Sequence, residues 1–73
     1  MKKVAEYYKG DLTGRLFENQ LAHNVCYTFK IYKGKPVKTN LVATSFVYYI
    51  EQERCKQALL DSLEQIDLVD KEF

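Results

Sequence analysis

The sequence is poor in the residues that interrupt or cross-link a chain. Its 73 residues include one proline, three glycines, two cysteines, one histidine and no tryptophan. Secreted domains of this size usually carry four or more cysteines, and a lone histidine without a Cys-x-x-Cys pair does not make a four-ligand zinc set. We therefore expect Cys26 and Cys55 to be reduced thiols in a cytoplasmic protein that holds no metal or cofactor.

Long apolar runs are also missing. The longest stretch without a charged residue, 39–50, has 12 residues and includes polar ones, whereas a membrane-spanning helix needs about 20 apolar residues. After Met1, Lys2 and Lys3, the apolar residues Val4 and Ala5 are followed at once by Glu6, so no apolar signal segment forms. The sequence therefore predicts neither a membrane span nor a signal segment.

Apolar and aromatic residues are nevertheless plentiful. Hydrophobic residues make up 47% of the chain, aromatic residues 14% and charged residues 29%, with a formal net charge of +1. This composition is typical of a folded chain, and at this length roughly 60% of the unfolded surface can be buried. We expect one small domain spanning 1–73.

The clearest secondary-structure signal is a strand at residues 25–32, followed by a hairpin. Apolar residues alternate there with polar ones, which places one apolar row on one face of a sheet. Gly34 and Pro36 predict a turn, and a three-residue loop keeps the apolar rows together. That register predicts five pairs: Ile31 with Thr39, Phe29 with Leu41, Tyr27 with Ala43, Tyr32 with Lys38, and Lys30 with Asn40.

Apolar residues at intervals of three and four predict a helix over 51–66, with a frayed tail at 67–73. The stripe consists of Cys55, Ala58, Leu59, Leu63 and Ile66. It should pack against Val25, Tyr27, Phe29, Ile31, Leu41, Ala43 and Val47. Residues 3–8 read as a short strand, and residues 12–23 suit either helical turns or an extra edge strand. The predicted fold is α+β: a three- to four-stranded antiparallel sheet over about 3–49, with one C-terminal helix on one face.

Charge is divided along the chain. Residues 1–50 carry eight Lys or Arg and three acids (8 − 3 = +5), and residues 51–73 carry three and seven (3 − 7 = −4). Four lysines surround one tyrosine on or near the hairpin, a combination that could hold phosphates and stack a base. This candidate nucleic-acid site comprises Lys30, Tyr32, Lys33, Lys35 and Lys38. A solvated edge strand also commonly carries lysine, so the same residues have a purely structural explanation.

The outer sheet face should also carry an apolar patch that the helix does not cover. Either the N-terminal segment with Leu12, Leu16, Phe17 and Leu21 folds over it, or a partner protein does. The candidate partner-binding residues are Phe46, Tyr48, Tyr32 and Val42. A homodimer formed through this face is a third option.

One sequence pattern resembles a known DNA-binding family. The pattern Tyr27-x-Phe29-x-Ile31-Tyr32-x-Gly34-Lys35-x-Val37 followed by a helix resembles the arm-type DNA-binding modules at the N-terminus of phage integrases. Those modules have more arginine and bring in the helix sooner, and no functional residue is carried over. The resemblance implies a sheet-and-helix fold and adds some weight to nucleic-acid binding.

No arrangement of residues typical of catalysis is present. His23 has no partner motif, and the 10–14 segment lacks the Lys-Ser/Thr of a phosphate loop. We therefore expect a small non-enzymatic protein that binds another protein as a regulator or inhibitor, of the kind encoded by phages and mobile elements. Nucleic-acid binding through the lysine hairpin is the alternative.

Overall fold

The computed structural model describes residues 1–35 and 38–71, without the side chains of 35, 38 and 67–71. Its elements are β1 (Lys2–Lys9), β2 (Leu12–Leu21), β3 (Asn24–Lys35), β4 (Lys38–Thr44) and α1 (Gln52–Lys71). The strands pair antiparallel in chain order, so that β1 and β4 form the two edges of one sheet. The predicted α+β fold with a single helix on an antiparallel sheet is confirmed.

The first two hairpins close through two-residue connections. Lys9 pairs with Leu12, and Leu21 pairs with Asn24. Gly10 has φ 60° and the non-glycine Ala22 has φ 47°. Tight hairpins require this left-handed region, which glycine adopts without strain and alanine adopts at some cost.

Residues 12–21 form a central strand rather than helical turns or an edge strand. Leu12, Gly14 and Leu16 occupy alternate positions on β2, and all three are buried. Because they face α1, the leucines belong to the core and do not fold over the outer face. Both the helical reading of this segment and the idea that it covers that face are wrong.

The core lies between α1 and one face of the sheet, here called the helix-side face. It consists of Leu12, Leu16, Phe29, Ile31, Cys55, Leu59 and Leu63. Most of the predicted contact positions are correct, including the partly buried Tyr27, Ala43, Ala58 and Ile66. Three are wrong, because Val25, Leu41 and Val47 are 44%, 53% and 54% exposed.

The hairpin between β3 and β4 has a different register from the predicted one. Lys35 pairs with Lys38 across residues 36–37, which lie outside the described part of the chain. The full set of pairs is Lys30 with Thr44, Ile31 with Ala43, Tyr32 with Leu41, Lys33 with Asn40, Gly34 with Thr39 and Lys35 with Lys38. The predicted three-residue loop and its five pairs are therefore wrong; Ala43 pairs with Ile31 and not with Tyr27, which pairs with Tyr49.

The pairing differs from the turn onwards because β3 continues to Lys35, and a β-bulge then shifts the register by one more residue. Ile31 pairs with Ala43 and Tyr32 with Leu41, so Val42 is an extra residue on β4. An extra residue reverses the alternation of side chains across it. Leu41 consequently lies on the outer face with Tyr32, whereas Ala43 lies on the helix-side face with Ile31.

Strand β4 ends at Thr44, before the predicted end of the sheet at about residue 49, but the chain returns to the sheet once more. Tyr49 forms an isolated bridge with Tyr27 through two backbone hydrogen bonds of 2.7 and 2.8 Å. Helix α1 then begins at Gln52 and continues to Lys71. The backbone of residues 67–71 in the predicted tail is therefore helical, and residues 72–73 lie outside the described part.

The tightest contact between helix and sheet is at Gly14. A Cβ atom at this position would lie 2.7 Å from Leu59 Cδ1 and 3.1 Å from Leu63 Cδ1. Both leucines are almost completely buried, so they have little freedom to move away. We expect Gly14→Ala to lower the free energy of unfolding by about 1–3 kcal/mol, as overpacking does.

Chemical unfolding followed by circular dichroism measures this loss, with Thr13→Ala on the outer face as the control. The double variant Gly14→Ala/Leu59→Ala should lose less stability than the sum of its single variants, because the smaller side chain makes room for the new methyl group. Strictly additive losses would contradict the close packing at this position.

Candidate functional site

The helix leaves one strand of the sheet uncovered. Helix α1 packs against β1, β2 and β3, and its described residues make no close backbone contact with β4. A groove of ≈ 430 Å³ therefore runs between α1 and the β4 side of the sheet. We call it the β4–α1 groove; none of its lining residues is charged, and they include Phe29, Ala43, Val47, Ala58, Gln65 and Ile66.

Large exposed apolar side chains are concentrated within residues 41–50, and two of them, Phe46 and Val47, line this groove. Phe46 is fully exposed, Ile50 is 84% exposed and Tyr48 is 61% exposed. With three neighbours they form what we call the apolar edge: Leu41, Val42, Phe46, Val47, Tyr48 and Ile50. Single exposed apolar residues are ordinary on protein surfaces, but a cluster within ten consecutive residues is not.

Three of the four predicted partner-binding residues belong to the apolar edge. Phe46 and Tyr48 line a shallow depression of ≈ 300 Å³ on the outer face, and Val42 is the bulged residue of β4. The fourth, Tyr32, is half-buried on β3 and pairs with Leu41. The structure thus places Tyr32 beside the apolar edge rather than within it.

Sequence reasoning missed three members of the apolar edge. Leu41 and Val47 were assigned to the core, and Ile50 was not proposed as a contact residue. A usable signal was nevertheless present, because all six residues fall within the charge-free stretch 39–50.

The lysines of the predicted nucleic-acid site are not all on one face. Lys30 lies on the outer face, where its Nζ is 5.7 Å from the centre of the Phe17 ring. Lys33 is at the opposite parity on β3, a helix-side position. The side chains of Lys35 and Lys38 lie outside the described part of the chain. Nucleic-acid binding by this hairpin remains a prediction.

A polar network occupies the outer face on the side away from β4. The Glu6 carboxylate accepts hydrogen bonds from Tyr8 Oη, from Lys3 Nζ at 3.1 Å and from Arg15 Nε at 2.9 Å. The Arg15 guanidinium carbon also lies 4.9 Å from the centre of the Tyr32 ring. This arrangement connects β1 to β3 through β2 and helps to hold Tyr32 in place.

These contacts change the acid–base properties of two side chains. The hydrogen bond from Tyr8, together with Lys3 and Arg15, lowers the pKa of Glu6 to about 2, although desolvation opposes the shift. Donating that hydrogen bond raises the pKa of Tyr8 above its usual value. Both shifts favour the hydrogen-bonded, ionised Glu6 at neutral pH.

The cysteines and the histidine do not form a reactive site. Both cysteines are free, as predicted, and burial raises the pKa of the Cys55 thiol to about 11. A thiol with such a pKa stays protonated and weakly nucleophilic at neutral pH. His23 is exposed in the turn after β2, and the described residues contain no cluster of three or more side chains suited to a metal ion.

Comparisons of the chain with protein-family models, curated proteins and solved structures gave no match. Over residues 1–35 and 38–71, no helix has the length and apolarity to cross a bilayer. In the segment whose sequence resembles integrase modules, β3 continues through the predicted turn residue Gly34 to Lys35. A fourth strand then lies between β3 and α1. The function of the chain must therefore be inferred from its own surface geometry.

The Glu6 network predicts a specific dependence of stability on pH. A carboxyl group whose pKa falls on folding from 4.5 to about 2 stabilises the fold fully above pH 4.5 and loses this contribution as pH falls towards 2. We expect Glu6→Gln to lower the melting temperature above pH 4.5 and to differ less from the wild type near pH 2.

Thermal melts over this pH range test the prediction. The control is Asp61→Asn, which changes an exposed residue of the helix.

Tyr8→Phe should raise the pKa of Glu6, measured by NMR titration of its carboxyl group, because the largest stabilising hydrogen bond is removed. A pKa of Glu6 near 4.5 in the wild type would rule out the network.

Proposed function

We propose that this chain is a non-enzymatic protein-binding module that regulates or inhibits a partner protein by docking on it. The observation that carries the proposal is the apolar edge, with six large apolar side chains exposed within residues 41–50. A concentration of exposed apolar side chains of this size is characteristic of interaction sites. Aromatic side chains such as Phe46 and Tyr48 can each bury ~150–250 Å².

The conformation of the segment between β4 and α1 supports the proposal. Ser45 N donates a hydrogen bond to Phe29 O at 3.0 Å, and Phe29 N donates one to Ser45 Oγ at 3.2 Å. The bridge between Tyr27 and Tyr49 fixes the other end. Because the backbone on both sides of Phe46 is held, a partner would meet an ordered surface and less conformational entropy would be lost on binding.

The chemistry of the apolar edge also suits a protein partner. The centres of protein interfaces are enriched in aromatic residues and depleted in charged ones. The apolar edge has two aromatic side chains and no charge. Tyr32, held under Arg15, adds a third aromatic contact beside it. The module would act sterically, with a rigid sheet covering part of the partner's surface.

Tyr48 is the residue whose substitution tests this proposal most directly. We expect Tyr48→Ala to reduce capture of the partner by tenfold or more, since anchor residues dominate interface energies, at roughly 1.4 kcal/mol per tenfold change. Its melting temperature should stay close to that of the wild type, because substitutions at exposed positions usually change stability by about 0.5 kcal/mol or less.

The measurement is capture from a host lysate by immobilised protein, with identification of what is retained and titration of that partner. Leu21→Ala is the matched control, since Leu21 is also exposed but lies at the far end of β2. If Tyr48→Ala still captures the partner, the apolar edge is not the docking surface. If this variant unfolds, Tyr48 belongs to the core and is not a contact residue.

A further inference from the structure

The two edge strands of the sheet differ in how they are protected from pairing with another chain. Strand β1 has an interrupted register, and four of its eight residues are charged: Lys2, Lys3, Glu6 and Lys9. Strand β4 also has a bulge, but only its first residue, Lys38, is charged. Charged residues on an edge strand oppose the addition of another strand. Only β1 has this protection along its length.

The backbone of β4 is oriented to accept a further strand. Gly34 N donates a hydrogen bond to Asp11 O at 3.1 Å, so the backbone of Gly34 is directed towards the start of β2 and away from β4. Opposite residues in an antiparallel ladder either bond to each other or both face away. Thr39, which lies opposite Gly34, therefore directs its N–H and C=O towards the open edge of the sheet. Residues 39–42 are all exposed, so another strand can reach this edge.

The β4–α1 groove lies on the helix-side face next to the same edge. Phe29 and Ala43 line it from the sheet, and Ala58 and Ser62 line it from the helix. Because Ala43 has a short side chain, a longer side chain from a strand beside β4 can lie across it and contact α1. The volume of ≈ 430 Å³ and the uncharged lining suit an apolar side chain such as that of leucine or phenylalanine.

Charge distinguishes the two ends of β4. Lys35 and Lys38 pair where β3 meets β4, and the sequence has no acidic residue between Glu18 and Glu51. A segment beside β4 is therefore favoured if it has an acidic residue next to this lysine pair, and a basic residue there would be repelled.

From these features we infer that the partner presents an extended segment that joins the sheet as a fifth strand beside β4. One of its apolar side chains occupies the β4–α1 groove, and an acidic residue lies beside Lys35 and Lys38. In such complexes the backbone hydrogen bonds contribute affinity and the side-chain contacts contribute specificity. This inference rests on the proposed function and states which part of the partner is recognised.

The inferred site is continuous with the apolar edge. Leu41 and Val42 lie on β4 itself, and Phe46 and Val47 line the groove. A partner that docks on the apolar edge would therefore meet the open backbone of β4 as part of the same surface.

Selection of linear nine-residue peptides displayed on phage, with the full chain immobilised, tests the inference without knowledge of the partner. Selected peptides should contain apolar residues and, at one end, an acidic residue. Synthetic copies are then titrated by fluorescence anisotropy. Replacing the acidic residue of the peptide by its amide should raise the dissociation constant by up to about fivefold, as expected for an exposed ion pair.

Thr39→Pro tests the backbone contact. Proline has no N–H, and its ring obstructs an approaching strand, yet edge strands tolerate it where the N–H faces solvent. We expect this variant to raise the dissociation constant of the selected peptide by about tenfold or more. The matched control is Thr39→Val, which keeps the N–H and should bind the peptide as the wild type does.

Ser62→Phe tests the groove independently of the backbone. The larger side chain would fill the groove from the helix and should also raise the dissociation constant by about tenfold or more. The control is Gln57→Phe, which makes the same change at an exposed helix position outside the groove lining. Circular dichroism of each variant checks that the chain is folded.

The inference is overturned if no linear peptide is selected, or if the selected peptides bind both Thr39→Pro and Ser62→Phe as tightly as the wild type. Capture of the partner separates this inference from the proposed function. If Tyr48→Ala reduces capture and Thr39→Pro does not, the apolar edge stands and the fifth strand is ruled out. If only Thr39→Pro reduces capture, the fifth strand is supported and the apolar edge around Tyr48 is not the docking surface.

Discussion

The arrangement of this small protein depends on the close approach of α1 to β2 at Gly14. Leu59 occupies the space that a side chain at this position would need, and it is completely buried there. That contact fixes the helix over the first three strands. An α-helix is about 10 Å wide with its side chains and strands are about 4.8 Å apart, so one helix so placed cannot also cover a fourth strand. The uncovered β4 is a geometric consequence of the packing at Gly14.

The exposure of the apolar edge follows from the same constraint. Residues 41–50 have the composition of a core segment, yet the helix that could cover them lies over β2 and β3. The bulge at Val42 adds to this effect, because it turns Leu41 outwards while Ala43 remains on the helix-side face. Hydrogen bonds from Ser45 and the bridge at Tyr49 then hold the segment against the sheet. The result is a fixed apolar surface rather than a loosely attached loop.

The sequence was informative where periodicity was unbroken. Phe29 and Ile31 on β3, and Cys55, Leu59 and Leu63 on α1, follow regular alternation or helical spacing, and all are buried. Strand β2 was ambiguous because the residue between Leu12 and Leu16 on the same face is glycine, so the row of alternate apolar side chains is incomplete. The predicted hairpin register was wrong because β3 continues through Gly34 to Lys35, so that the strands pair across residues 36–37, and a bulge then shifts the pairing by one more residue. Clustering of Phe46 and Tyr48 was predictable from the charge-free stretch, whereas their position beside an open groove required the structure.

The apolar edge and the cations of the outer face differ in what they can offer a partner. Arg15 already binds Glu6 and lies over Tyr32, and Lys30 lies over Phe17. A phosphate or carboxylate ligand that bound to these cations would compete with interactions inside the chain, which reduces the net gain in free energy. The apolar edge has no comparable internal interaction to lose, since the exposed parts of its side chains contact only water in the isolated chain. Burial of the exposed part of Phe46 or Tyr48 therefore gains hydrophobic free energy without such a loss. For this reason the apolar edge is a stronger candidate for recognition than Arg15 and Lys30 are.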